Sequence, residues 1–182
     1  SCVNALSEEM RVEVHREGKI FEQEYRRGKP REAVKPIGEA SDTGTSVTFK
    51  PDPEIFETLV YNYNTLATRM RETAFLNSGL QLTLTDLRER DESGKHREEV
   101  FHSEGGLKEF VVYLDESRTK LIEEPIYVKG KEDNVEVEVA MQYNTSYSEN
   151  LYSYVNNINT REGGTHVAGF RRAVNREFDK YA

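Results

Sequence analysis

Cysteine, long apolar runs and metal-type spacings are what this sequence has least of. The single cysteine among 182 residues, Cys2, excludes an internal disulfide and fits a reducing compartment. No run approaches the roughly 18 apolar residues that a membrane-spanning helix needs. The opening SCVNALSEEM has neither the basic start nor the apolar core of a secretory signal. It also lacks an initiator Met, so Ser1 is expected to be an internal residue of a longer protein. The four histidines, His15, His96, His102 and His166, are far apart, and none stands at ligand spacing from another His or a Cys, so no metal ligand is expected. Neither a Gly-x-Ser-x-Gly elbow nor a Walker sequence is present, so no self-contained catalytic residue is expected either.

What is present is a polar, globular composition, 36% apolar and 32% charged, with a net charge of -8. An acidic chain is a poor candidate for a protein whose whole surface grips DNA. The charge is uneven, however. Residues 161–182 carry five basic groups against three acidic ones, a locally positive tail on an acidic body.

The pattern of apolar residues predicts an α+β chain. The first seven residues read as the end of a helix. Met10, Val12 and Val14 alternate up to Glu17-Gly18, and Ile20 to Tyr25 continues to Arg27-Gly28, a hairpin with glycine at its turn. Val47 and Phe49 mark a further strand ended by Pro51 and Pro53. From Ile55 to Leu76 the period lengthens to helical, with Asn62 or Asn64 placed to cap a break and Gly79 placed to stop it. Leu80, Leu82 and Leu84 alternate as a strand that turns at Ser93-Gly94. A short helix follows Gly105-Gly106, and the strands 126–128 and 135–141 come next, the second being the cleanest alternation in the chain. SYVNNI reads as one more strand. The end is a helix with Thr165 as its N-cap and a stripe of Val167, Phe170, Val174, Phe178 and Tyr181 expected to be buried.

Three stretches invite a functional reading. Thr43-Gly44-Thr45 places a hydroxyl that can both donate and accept beside Val47, a pairing suited to the polar edge and apolar face of a base such as adenine. The plainer alternative is a strand start with β-branched residues chosen for packing. Arg16, beside a hairpin turn, is placed to reach a ligand or simply to be solvated. Gly163-Gly164 reads either as a phosphate cradle or as the turn into a packed helix, and the periodicity behind it favours the turn. Arg171, Arg172 and Arg176 make a basic patch that is equally well an ordinary solvated face.

Several longer runs are far more specific. They are VNALS at 3–7, REGK at 16–19, TGT at 43–45 with Val47 and Phe49, and RMRETAFLNSG at 69–79. EGGLKEFVVYL at 104–114, VEVAMQ at 137–142 and NNINTREGGTHVAGFR at 156–171 complete the set. In this order, over essentially the whole chain, they resemble the DNA gyrase B family of bacterial type II topoisomerases, with the corresponding topoisomerase IV subunit as the close alternative.

The resemblance implies two-layer α/β sandwiches. Residues 1 to about 100 resemble the second half of a GHKL-type ATP-binding domain, and residues from about 101 to 182 the first part of an S5-like transducer domain. It implies ATP with Mg²⁺ as cofactors of the parent protein. The implied partners are a second copy of the same subunit, the gyrase A subunit and double-stranded DNA, in the cytoplasm and with no membrane. Residue by residue, Thr45 falls on the family threonine that binds adenine with an ordered water and a carboxylate, and Val47 on an apolar wall of that pocket. Arg16 falls on the arginine at the pocket mouth where aminocoumarins bind. Ser1 follows the glycine-rich lid, and Asn4 is structural. The family's catalytic glutamate, Mg²⁺-holding asparagine, adenine-binding aspartate and lid would precede Ser1, and its transducer lysine and glutamine would follow Ala182. These 182 residues by themselves are therefore expected to be inactive, to bind neither ATP nor Mg²⁺, and to associate through an uncovered apolar face.

Overall fold

A computed structural model describes residues 1–182, which divide into two compact units, Ser1–Tyr61 and Asn62–Ala182. Unit one opens with a single turn of helix, α1 (Cys2–Ala5), and continues into strands β1 (Ser7–Arg16), β2 (Lys19–Arg26), β3 (Lys29–Pro30), β4 (Lys35–Glu39) and β5 (Gly44–Pro51). The strands form one antiparallel sheet in the order β3-β2-β1-β5, with β4 also paired to β2.

Two-residue turns set the register. Arg16 faces Lys19 across Glu17-Gly18, and Arg26 faces Lys29 across Arg27-Gly28. All four turn residues have positive φ, the geometry that matches the twist of a tight hairpin. The pleat then sorts the side chains. Met10, Val12, Val14 and Arg16 share one face with Phe21, Gln23 and Tyr25 of β2 and with Thr45, Val47 and Phe49 of β5. The other face is ionic: Arg11 donates to the buried Glu22 at 2.7 Å. Val47 and Phe49 remain half exposed, and α1 is the only helix of this unit.

The chain leaves the sheet at Asp52, a buried carboxylate that accepts from the Glu54 amide at 2.9 Å and pairs with Arg27 at 2.9 Å. This local turn corrects the expectation of a helix from Ile55. The helix begins only at Tyr63, because Asn62 caps it by accepting from the Thr65 amide at 3.0 Å.

Unit two contains that helix, α2 (Tyr63–Leu76), then β6 (Gln81–Arg90), β7 (His96–His102), α3 (Leu107–Leu114), β8 (Ile126–Glu132), β9 (Val135–Met141), β10 (Tyr154–Val155), β11 (Ile158–Asn159) and α4 (Thr165–Asp179). Its strands pair as three antiparallel hairpins, β6-β7, β8-β9 and β10-β11. Tyr63, Ala67 and Ala74 of α2 bury against Phe101, with Met70, Leu82 and Leu84 packed around them. Arg97 lies 3.7 Å over the Tyr63 ring, and Arg71 covers Phe101 at 5.2 Å, so the hairpin's charges roof its core. A second aromatic set joins α2 to α3: Phe75 stacks on Phe110 at 5.0 Å, and Phe110 meets Tyr152 and Tyr154. The architecture is α+β.

Three further expectations change. SYVNNI is not one strand but the start of a hairpin, because Asn156 and Asn157 both adopt positive φ and turn the chain. Thr165 is not the N-cap of α4. Gly164, at φ 155 and ψ -175, occupies that place in a conformation costly for any other residue, and Thr165 is already helical. The α4 stripe is only partly buried. Val167, Phe170 and Val174 are half buried, but Phe178 is 60% and Tyr181 91% exposed.

The corner between β7 and α3 is tied closely. Ser103 is buried and its hydroxyl donates to Glu109 at 2.5 Å, while the Gly105 amide donates to the same carboxylate at 3.0 Å. His102 bridges the Leu80 carbonyl at 3.1 Å and Glu104 at 2.7 Å. The carbonyl first, and then the carboxylate, hold its imidazole above the ordinary histidine value. Because the folded value is raised, this contact stabilises fully below the unfolded value near 6.5 and is lost as pH climbs through the folded one. An NMR titration is expected to place the His102 midpoint above 6.5, and the melting temperature of His102→Gln should vary less with pH between 6 and 8 than that of the unaltered chain. A midpoint at or below 6.5 would show that the bridge does not form in solution.

Candidate functional site

The candidate site is built on the apolar face of the first sheet. Val14 lies directly opposite Thr45, and Val12 directly opposite Val47. Antiparallel partners point to the same side, so the four side chains form a patch, bordered by Phe21 across from Val14 on β2. The Thr45 side chain is exposed on this patch. Arg16 follows Val14 by two residues and so lies about 7 Å further along the same face, at its open end. Its guanidinium donates to Glu17 at 3.2 Å, and both side chains are about three-quarters exposed.

Local structure fixes the loop that delivers Thr45. His15, on the opposite face of β1, meets Asp42 at 2.7 Å, and the Ala40 amide donates to the Gly18 carbonyl at 3.0 Å. The hydrogen bond from His15 holds the Asp42 carboxyl below the usual range. The segment ahead of Gly44 is thereby pinned to the β1–β2 turn that carries Arg16.

Ser1 is not brought beside these three residues. It caps α1, accepting from the Asn4 amide at 3.4 Å, and α1 leads into Ser7 at the far end of β1. Seven residues separate Ser7 from Val14, about 23 Å of strand. Asn4 has the structural role expected of it, donating to the Gly28 carbonyl at 3.3 Å.

Chemically, the patch is a wall. It offers a flat apolar surface, one hydroxyl that can donate or accept, and one cation at its rim. Such a set orients a planar heteroaromatic ring and greets an anionic or polar substituent. No three His, Cys, Asp or Glu side chains gather to hold a metal ion. The basic tail does not form a comparable site: Arg171 is paired with Glu149 at 3.0 Å and Arg176 with Glu177 at 3.5 Å. A cavity of about 620 Å³ beside α4 is bordered by Tyr152, Thr160, Arg161 and Val167, and includes none of the expected site residues. No helix is long and apolar enough to cross a membrane.

Sequence reading missed Val12, Val14 and Phe21 as members of the patch. Their alternation was visible, but only the registers of β1 with β2 and with β5 show that they face the same way as Thr45.

Comparison with known proteins is consistent across the chain. The family model for DNA gyrase B matches residues 106–182. The chain is 56% identical over its full length to the DNA gyrase B protein of Eisenibacter elegans and 57% identical to that of Cytophaga hutchinsonii, and it spans 38% of the length of each. Among solved structures, it resembles the 43K ATPase domain of Thermus thermophilus gyrase B in complex with an aminocoumarin, with a TM-score of 0.85 and 41% identity, over 98% of this chain and 48% of that one. It also resembles the B-subunit of the DNA gyrase from Myxococcus xanthus, with a TM-score of 0.82 and 27% identity, over 93% of this chain and 49% of that one.

Proposed function

We propose a function from one premise: the chain belongs to the DNA gyrase B family. The parent protein is an ATP-dependent type II topoisomerase subunit, and these residues are one wall of its nucleotide pocket together with the elements that pass movement onward. The observation that carries this reading is identity of 56% sustained over all 182 residues. ATP binding with Mg²⁺ closes two copies of the subunit into a clamp around DNA. With the A subunit, one duplex is passed through another and negative supercoils are introduced. The protein works in the cytoplasm.

Within the pocket, Thr45 binds adenine through its hydroxyl, together with a water and a carboxylate. Val47, with Val12 and Val14, forms the apolar wall against the ring. Arg16 stands at the mouth, where an aminocoumarin makes contact. Ser1, at the start of α1, lies on the phosphate side, next to the glycine-rich lid. The residues present fit the adenine end of ATP, since a flat apolar patch with one exposed hydroxyl is what a purine edge and face require. They do not gather a set of metal ligands, so no step is assigned to Mg²⁺ through this stretch. By themselves these residues are inactive.

The first domain runs to about residue 100, and the S5-like transducer begins at about 101, in keeping with the family match from residue 106. The decisive assay uses the full-length protein with its A subunit and relaxed plasmid. ATP-dependent negative supercoiling is expected. Efficient unlinking of catenated plasmids without supercoiling would instead identify the topoisomerase IV subunit, and the absence of both activities would overturn the reading.

A further inference from the structure

One contact cluster joins elements that the proposed function assigns to different domains. Asn157 is the second residue of the β10–β11 turn, with φ 64. Its carbonyl accepts from Arg69 Nη2 at 3.0 Å, and its side-chain amide donates to Asn77 Oδ1 at 2.9 Å. Arg69 lies on α2, steadied by Glu72 at 3.1 Å. Asn77 is the C-cap of α2, and its own amide donates to the Thr73 carbonyl at 2.7 Å. A single turn residue is thus held by main chain and side chain at once, from the last two turns of one helix.

The hairpin also leads directly to α4. Ser153 and Thr160 share a hydroxyl contact of 2.7 Å, and Thr160 meets His166 Nε2 at 3.0 Å at the start of that helix. A polar chain therefore runs from the end of α2, through the Asn157 turn, to the first turn of α4. Adhesion alone does not require it, because the Phe75–Phe110–Tyr154 set already packs α2, α3 and the hairpin together. What the polar contacts add is direction. They fix the orientation of the turn relative to the helix axis, and the two that hold Asn157 are exposed and reversible, whereas Phe110 at the centre of the aromatic set is buried.

We propose that Arg69 and Asn77 are positioning residues that grip Asn157 as a coupling clamp, tying the nucleotide-binding domain to α4 of the transducer. The inference rests on the domain assignment given above. In this reading the clamp makes the β10–β11 turn, and with it the first turn of α4, follow any movement of α2 as one body. Loosening it leaves ATP turnover in place but weakens its connection to strand passage.

The test uses the full-length protein with its A subunit and measures both ATP hydrolysed and linking number changed. Arg69→Ala and Asn157→Gly are the informative changes, the second keeping positive φ accessible while removing the amide. Each is expected to lower the supercoils introduced per ATP by about tenfold, within the usual range of coupling between sites, with the ATP half-saturation changed less than about twofold. The double variant should lose no more than the worse single one, and Arg69→Lys should recover part of the ratio by restoring a donor. A merely structural role would lower hydrolysis and supercoiling together and leave their ratio unchanged, and that result overturns the clamp. If the unaltered protein hydrolyses no ATP, the functional reading falls and takes this inference with it.

Discussion

Phe110→Ala should destabilise the second unit by about 3–5 kcal/mol, the cost of deleting a buried aromatic ring whose surroundings collapse only partly. Phe110 is 5% exposed, lies flat on Phe75 at 5.0 Å, and is flanked by Tyr152 and Tyr154 at 6.2 and 6.4 Å. Four elements meet on that one ring: α2, α3, the 151–153 segment and β10. Its removal leaves a void bounded by stiff aromatic neighbours that have no small rotation with which to fill it. Tyr154 shares this environment, and desolvation pushes its phenol up to about 12. In calorimetry, the transition of this unit is expected to fall by roughly 12–20 °C. Phe178→Ala is the matched control. It removes the same ring from a position 60% exposed and should change stability by less than about 1 kcal/mol. Equal shifts for the two variants would mean that the aromatic set does not organise the unit.

The contrast between these two phenylalanines also shows what the sequence could and could not tell. Both stand at helical spacing in amphipathic helices, and periodicity assigns both to a core. Periodicity reports which face of a helix is apolar. It does not report whether something lies against that face. For α3 the partner is α2, and burial follows. For α4 burial fades along the helix, and the stripe runs out into solvent after Val174. The same reasoning explains the strands. The alternation of Met10, Val12 and Val14, the turn at Glu17-Gly18 and the turn at Ser93-Gly94 were legible because they are local. The helix start at Tyr63 was less so, because an extended approach containing Ile55 and Leu59 imitates a helical period until Asn62 is seen to cap. The Asn156-Asn157 turn was hidden for a related reason: asparagine tolerates positive φ without announcing it as glycine does.

The candidate site was legible in a different way. Composition favoured a plain strand start at Thr45, and Arg16 alone said little. The long runs shared with a known family singled these residues out, and the register then placed Thr45, Val47 and Arg16 on one face without reference to the family. Ser1 stands apart from them along β1.

That placement supports a sharper prediction on function, one that depends on which side of a strand a side chain occupies. In the full-length protein, Thr45→Val should weaken ATP binding by about 10- to 100-fold. The substitution keeps the β-branched shape and removes only the hydroxyl, so a polar edge of the bound ring is left without its partner, a loss of about 1.5–3 kcal/mol. Ser46→Val alters the neighbouring hydroxyl on the same strand, but Ser46 lies opposite Glu13 on the ionic face of the sheet. It should leave ATP affinity within about twofold, since it meets no part of the ligand. Val47→Asp should be at least as damaging as Thr45→Val, because it sets a carboxylate on the apolar wall. Isothermal titration with a non-hydrolysable ATP analogue measures all three, and circular dichroism checks that each variant keeps its strands. The pattern of loss, none, loss along three consecutive residues follows from the two-residue period of the strand. Equal effects at Thr45 and Ser46 would show that the nucleotide does not lie on the face that β1 and β5 share.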